Sequence, residues 1–532
     1  MLSARQSQRQ GSVLRWWSPP HQSRLLSIPA STNVPQALAL LHALHHLPKP
    51  RHNLPWVLAA SVAAALAIAS PCRATPLDEP FVGGIGFSGP TTGDLTSVYW
   101  NPAALSLLTG TEVHVSGIFR ETRTNVQRAP SATGTALGSA RGSESLSQRP
   151  WAPGPGGFLG LGANVLGRFT LAVAGYWPSY QRITYAPSND GTLPTRHHGI
   201  DLDLRNFALV PALAIRLGKY MHLGFAPGFL FASGQFTFDE DTDINRGLAN
   251  SENPMATASY KLSAGTSAFA PSPAYTLGAG VHYKRDAWSI GASYNSRAFG
   301  NEGDGVRLSI RNGSLARDGQ PSPCPPSDNA PCLNGELSYR LPDAVVVGAT
   351  WQMNERWSFT GIGRYQTFSV HDRIVITLAA PAGSGLGENG LRSRIVLHRG
   401  FSDRVELRGN VIRHYAKRGR VGAGLRMATS AVPRSQVTPI AVDGFTIEPH
   451  VMGEFTFHGF TFQAGYAFAF MPERTVTNSA FDTSNAVACK DTGYDLSSSV
   501  CAPYSQGRQR PSANGRYNHF SHSLSLSLVT RF

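Results

Sequence analysis

From residue 111 onward the chain is written almost entirely in segments where apolar residues alternate with small or polar ones, a period of two. A strand sends successive side chains to opposite faces, so such segments are strands with one apolar face each. The clearest runs over 460–470, where Phe460, Phe462, Ala464, Tyr466, Phe468 and Phe470 share one face and Thr461, Gln463, Gly465, Ala467 and Ala469 the other. Fourteen segments of this kind can be marked: 111–125, 156–165, 168–177, 200–216, 220–238, 272–283, 287–299, 335–352, 356–370, 400–412, 420–429, 445–457, 459–470 and 518–532. The connections after the even-numbered strands are short, as at Leu166-Gly167 and His458. Those after the odd-numbered strands are long, as over 239–271, 300–334 and 471–517. Strict alternation of short and long connections is what an antiparallel barrel needs when its turns lie on one side of a membrane and its loops on the other. An even number of strands closes it. The expectation is an all-β fold, a transmembrane β-barrel of about fourteen antiparallel strands.

The N-terminal stretch has a different character. Its first acidic residue is Asp78, and the basic residues Lys49 and Arg51 precede an apolar run of thirteen, 57–69, which ends in Ser70-Pro71-Cys72-Arg73-Ala74. That order reads as a secretory signal with cleavage near Ala74, too short in its apolar run for a membrane span. The expected division is therefore 1–74 as extension and signal peptide, 75–110 as a segment ahead of the wall that the resemblance below makes a plug, and 111–532 as the barrel with long external loops. Removing 1–74 takes away seven basic residues and no acidic one, so the formal net charge of +14 falls to +7. Much of the basicity belongs to targeting, and a nucleic-acid partner is not implied.

Between signal and barrel lies 94–108, Asp-Leu-Thr-Ser-Val-Tyr-Trp-Asn-Pro-Ala-Ala-Leu-Ser-Leu-Leu. Asn101 is a good N-cap and Pro102 suits the first helical position, so 103–108 should form one or two helical turns. So short a helix needs a surface to receive Leu105, Leu107 and Leu108. Asn101-Pro102-Ala103, with Asp94 before and Gly110 after, resembles the N-terminal hatch of FadL-type outer-membrane transporters. The same order of features continues through Tyr176-Trp177-Pro178 at the end of strand three, Leu341-Pro342-Asp343, Ala464-Gly465-Tyr466-Ala467-Phe468 and the final aromatic Phe532. The resemblance covers roughly 80–532. It departs in a hatch less rich in alanine (Gly89-Pro90-Thr91-Thr92-Gly93) and in long external loops that carry cysteines. It implies passive uptake of a hydrophobic molecule in the outer membrane of a Gram-negative bacterium. The hatch residues Asp94, Asn101, Pro102 and Ala103 would then gate a lumenal path, and a wall strand would kink to make a side opening. Pro211 and Pro227 are candidates for that kink, because proline removes a ladder bond. The terminal strand ending in Phe532 resembles those recognised by the barrel-assembly machinery, which makes that machinery an expected partner of a monomeric barrel.

Parity places a polar cluster inside. If Phe455 and Phe457 face lipid, then Glu448, His450, Glu454 and His458 face the lumen or its rim. By the same reasoning Arg404, Glu406 and Arg408, with Arg426 and Arg364, point inward. These charges suit a ladder of internal salt bridges, or an unpaired arginine, Arg426 or Arg408, that receives a carboxylate head group. The cysteines that remain, Cys324, Cys332, Cys489 and Cys501, fall as two close pairs in external loops and read as two local disulfides. No histidine lies at zinc-finger spacing from them, and no metal or cofactor is expected. There is neither a Gly-x-Ser-x-Gly elbow nor a His-Glu-x-x-His motif, so an enzyme is not expected. A general diffusion porin and a surface-binding barrel that transports nothing remain as alternatives. The residues leave long-chain fatty acids and aromatic hydrocarbons open as cargo.

Overall fold

The structure is a computed structural model that describes residues 81–128, 147–148, 151–185, 195–241, 257–265, 274–300, 303–317, 333–379, 393–415, 419–480 and 513–532. Fourteen strands run antiparallel, each pairing with the next: β1 (Thr111–Arg128), β2 (Trp151–Val165), β3 (Phe169–Thr184), β4 (Asp201–Arg216), β5 (Met221–Asp241), β6 (Ala274–Arg285), β7 (Trp288–Asn295), β8 (Ala344–Gln352), β9 (Trp357–Gln366), β10 (Arg404–His414), β11 (Gly419–Ala428), β12 (Thr446–Phe457), β13 (Phe460–Val476) and β14 (Gly515–Arg531). β14 returns to β1 in an unbroken register from Glu112↔Arg531 to Arg128↔Gly515, which closes the barrel. Phe532 and Thr111 also exchange backbone hydrogen bonds of 2.9 and 3.1 Å at the foot of this seam.

The alternation works as the pattern dictates. On β14, Leu524 and Leu526 are exposed to the outside while Ser521, Ser523, Ser525 and Ser527 are buried inside. On β12 and β13, Phe455, Phe457, Phe462, Tyr466 and Phe470 are exposed. An outward face of large apolar side chains has no place in water and fits the hydrocarbon of a bilayer. The short turns follow from local chemistry: His458 and Gly459, between the paired Phe457 and Phe460, both take positive φ (47° and 84°), as a type I′ hairpin turn requires.

Several strand limits differ from the sequence pattern. The eighth segment, 335–352, is two strands, because Pro342 lacks a ladder donor and the chain turns over 340–343 before β8 begins. Asp343 anchors this turn, accepting from the Arg297 backbone N–H and Nε at 2.8 Å each and from the Tyr294 hydroxyl at 2.7 Å. Burial pushes its carboxyl up, but the Arg297 contacts and the Tyr294 hydrogen bond outweigh burial and hold it at about 2. The ninth segment stops at Gln366, followed by a 3₁₀ turn at Phe368–Val370. The seventh stops at Asn295, and the tenth starts at Arg404.

What reads as loop in the sequence, together with the first part of the eighth segment, also holds regular structure outside the wall. Thr257–Gly265, Val306–Arg317, Leu333–Tyr339, Arg373–Ala379 and Arg394–His398 pair in turn onto the upper part of β5 and form an external sheet. Its inner face, including Phe236, Tyr260, Leu262, Leu308, Leu337, Ile376 and Ile395, is buried in the same apolar cluster as the plug. The connection from β11 to β12 reaches five strands across the barrel to β3. There Gln181 Nε2 donates to the Ile440 carbonyl (2.8 Å) and the Tyr185 hydroxyl to the Pro439 carbonyl (2.6 Å). The expected leader and plug boundary near residue 75, and Cys324, Cys332, Cys489 and Cys501, lie outside the described residues.

A charge added to the lipid face and a carboxylate removed from the turn ahead of β8 should act differently. Leu526→Arg is expected to cost about 2–4 kcal/mol in urea unfolding from phospholipid vesicles. Asp343→Asn should weaken the barrel at neutral pH and matter less as pH falls from the ordinary carboxylate range toward 2, where the wild-type carboxyl also takes a proton and its contribution is lost.

Candidate functional site at the plug and lumen

The described part of the plug, 81–110, is a series of turns with an α-helix of four residues, α1 (Ser97–Trp100), and a 3₁₀ turn at Pro102–Leu107. Asn101 caps the latter as its sequence promised, accepting from the Ala103 N–H at 3.2 Å, with Pro102 in the first position. The helical turn expected there is 3₁₀, and α1 just before it was not foreseen. Asp94 lies one turn earlier, its Oδ1 accepting from the Thr96 N–H and hydroxyl (2.9 and 2.5 Å). Trp100, Leu105 and Leu108 are fully buried, and Leu107 is half-buried.

Main-chain groups of a plug inside a barrel need partners, and the wall supplies them as side chains. Ser525 Oγ on β14 accepts from the Ile85 N–H (3.0 Å). Asn410 Nδ2 donates to the Gly86 carbonyl (2.7 Å) and Arg408 to that of Ser88 (2.6 Å), both from β10. On β7, Ser293 Oγ donates to the Trp100 carbonyl (2.6 Å) and Asn295 Nδ2 to the Tyr99 carbonyl (3.1 Å). Glu112 on β1 accepts from the Leu95 N–H (2.9 Å), and its other oxygen accepts from Arg531 Nε (2.7 Å). Asn101 itself donates to two carbonyls, Pro90 in the plug (2.8 Å) and Val281 in β6 (3.0 Å).

The Asn101-Pro102 corner sits directly on wall backbone. A Cβ at Gly280 would lie 2.1 Å from Asn101 Oδ1, one at Gly224 2.2 Å from Ala103 N, and one at Gly291 2.1 Å from the Pro90 carbonyl oxygen. Only glycine admits so close an approach. These three positions were missed in the sequence; the signal was there, as glycines at lumen-facing parity inside strands.

All but one of the residues placed at the lumen by parity lie inside the wall; the exception, His458, sits exposed in the hairpin turn between β12 and β13, where the alternation of faces ends. Arg364, Arg404, Arg408, Arg426, Glu406, Glu448 and His450 are buried, and Glu454 is half-buried. Arg426 bridges Glu406 and Glu448 at 2.9 Å each. Arg408 lies over the Trp100 ring at 4.8 Å, and Arg364 donates to the Tyr99 hydroxyl (2.5 Å). His450 Nε2 shares a 2.8 Å hydrogen bond with Asn410 Oδ1, and Glu454 accepts from Arg420 (2.8 Å) and Gln463 (2.9 Å). Both arginines singled out as free head-group receptors are thus engaged: Arg426 by two carboxylates, Arg408 by the plug. Arg404 is buried, and its Nε has no hydrogen-bond partner among the described residues. Among the described residues of β9–β12, four fully buried guanidiniums (Arg364, Arg404, Arg408 and Arg426) therefore stand against two fully buried carboxylates (Glu406 and Glu448).

Beside α1 the packing is mainly apolar. A cavity of about 90 Å³ opens above α1, lined by Tyr99, Tyr176, Ala226, Leu230 and Leu341 among others, with Arg364 and Gln366 at one side. The wall beside it is irregular. The β3–β4 register shifts between Tyr176 and Ser179, around Pro178, and the β4–β5 register has no pairs between Leu209↔Phe229 and Leu213↔Phe225, the stretch that holds Pro211 and Pro227.

A closed fourteen-stranded wall, an apolar outer face and a plug hydrogen-bonded within it form a distinctive architecture. A family model described as outer membrane protein transport protein (OMPP1/FadL/TodX) matches residues 63–441. The chain belongs to this family. Among solved structures it is similar to a FadL homologue of Pseudomonas aeruginosa, at 14% identity and a TM-score of 0.64, over 86% of this chain and 100% of that one. It is similar also to the toluene transporter TodX of Pseudomonas putida (12%, 0.57, over 86% and 99%) and the toluene transporter TbuX of Ralstonia pickettii (12%, 0.54, over 87% and 99%). At these identities the likeness is one of fold. No curated protein sequence matches the chain. As a member of the OMPP1/FadL/TodX family it is an outer-membrane transport protein, and its strands, not helices, cross the membrane: no helix among the described residues is long and apolar enough to do so.

The seat of the plug yields two expected outcomes. Gly280→Val should displace the Asn101 corner and raise ion conductance through single barrels in planar bilayers, while cold-gel migration still reports a folded barrel. Asn101→Ala removes the donor to the buried Pro90 carbonyl, at about 1–3 kcal/mol, and should loosen the plug in hydrogen exchange without unfolding the wall.

Proposed function

We propose that this protein carries hydrophobic molecules passively through the outer membrane, long-chain fatty acids or aromatic hydrocarbons, along a lumenal path that its plug opens and shuts. The observation that carries the reading is the seated plug, with a small, mostly apolar cavity above α1 among the described residues. At about 90 Å³ that cavity is smaller than the roughly 150 Å³ that houses a benzene molecule in an engineered core, so passage of any such solute needs the plug to move. Asp94, Asn101, Pro102 and Ala103 form the corner about which it moves, within a hatch reaching from about 75 to 110. A solute can leave the cavity sideways where the wall ladder is interrupted beside Pro178, Pro211 and Pro227. Arg404, the buried guanidinium least engaged by neighbours, is the head-group contact for a cargo with a carboxylate.

In this reading no cofactor takes part and no bond is made or broken, so the protein is not an enzyme. It acts as a monomer after assembly through its terminal strand. A general diffusion porin fits less well, because a porin has no use for main-chain contacts that hold a plug across its lumen.

The test is uptake of a labelled long-chain fatty acid, of labelled toluene and of a small sugar by an uptake-deficient host expressing the full chain. Thr91 and Thr350 place their hydroxyls 2.8 Å apart between plug and β8, so Thr91→Cys with Thr350→Cys pins the plug. Oxidation is expected to lower hydrophobic uptake at least tenfold, with recovery on reduction and no sugar entry in either state. Uptake unchanged by the cross-link would overturn the gated path, and free sugar entry would establish the porin. Arg404→Gln should reduce fatty-acid uptake and spare toluene.

A further inference from the structure

At the turn side of the wall, β9 and β10 carry a basic and aromatic cluster that the transport path does not use. Trp357 and Arg413 face each other in register. The Arg413 guanidinium lies 5.6 Å from the Trp357 ring and 5.1 Å from the Tyr415 ring, held between two π faces. Trp357 and Tyr415 are 36% and 46% exposed on the outward surface, and Arg356 is exposed at the same rim. No carboxylate pairs with Arg413 among the described residues. A guanidinium fixed by stacking at the edge of the hydrocarbon keeps its N–H donors free for an anion at head-group depth.

Four residues further into the bilayer along each strand the wall surface drops away. Gly361 and Gly409 pair directly, and a Cβ built on either would meet nothing within 4 Å. Ala349 of β8 lies beside Gly361. Phe359 stacks on Trp351 at 5.7 Å along one flank, and Val411 is exposed on the other. The separation from Arg413 to Gly409 is about 13 Å of strand, the distance from a head-group phosphate to the upper acyl carbons of a lipid.

We propose that this face holds one phospholipid of the periplasm-facing leaflet. Its phosphate is bound by Arg413 and Arg356 against Trp357 and Tyr415, and an acyl chain lies over Gly361 and Gly409. The occupant follows from charge complementarity: a fixed cation asks for an anionic phosphate, and the depression beside it asks for a chain that stays in hydrocarbon. The inference rests on the outer-membrane location and is independent of what the lumen carries.

The test is native mass spectrometry of the full chain in detergent, titrated with phosphatidylglycerol, comparing the wild type with Arg413→Gln, with Gly409→Leu, and with Arg285→Gln, a rim arginine on β6 outside this cluster. The wild type is expected to retain one lipid, with retention falling about fivefold in Arg413→Gln and in Gly409→Leu and unchanged in Arg285→Gln. Equal loss in Arg285→Gln, or no loss in Arg413→Gln, overturns the site. Displacement of the lipid by excess inorganic phosphate would show a free-anion site and also overturns it. A two-barrel species abolished by Gly409→Leu, with no retained lipid, would assign the depression to a second copy of the chain.

Discussion

A backbone that crosses hydrocarbon must satisfy each N–H and C=O within itself, and strands can do so only if the sheet has no edges. Everything else in this molecule follows from the seam between β14 and β1. Once seventeen residue pairs close it, the outward face is committed to lipid and the inward face to whatever the lumen contains. The inward face is polar and serine-lined on β14, so a plug presenting main-chain groups finds partners there. The plug is therefore bound as a strand would be, through its backbone, but by wall side chains: Ser293, Asn295, Asn410, Arg408 and Glu112.

The lumen is divided by this arrangement. One half, around β9–β12, concentrates buried charge, with Arg426 clamped between Glu406 and Glu448. Breaking one partner of such a clamp typically costs about 3–5 kcal/mol, because the remaining charge stays buried. The other half, from β3 to β8, holds the mainly apolar cavity, beside a wall whose ladder is interrupted near prolines. In the proposed path, rigidity and passage fall on different sides of one barrel.

Much of this was legible from the residues alone. Period-two alternation and the rhythm of the connections set the number of strands, because both are consequences of one geometry. Parity along β10–β12 placed the lumenal charges correctly, since a strand has only two faces. Partnership was beyond parity's reach: which arginine a carboxylate meets depends on register between strands and on the plug, neither of which a single strand encodes. That is why Arg426 and Arg408 looked available and are not. The external sheet was hidden because its strands lie within stretches rich in glycine, proline and polar residues, where turn chemistry masks the alternation. The break at Leu341-Pro342-Asp343 was visible as a proline, yet its meaning required knowing that Leu333–Tyr339 pairs with Arg373–Ala379.

The attachment of the plug to both sides of the seam bears on how the molecule is made. Leu95 is bonded to Glu112 on the first strand and Ile85 to Ser525 on the last, and Arg531 of the last strand completes the Glu112 contact. The two strands that meet last in chain order thus share a common template, which is synthesised before either. The wall is in this way hooped around a stopper that binds its first stave and its last, so a change at Glu112 or Ser525 loosens the stopper and the seam together.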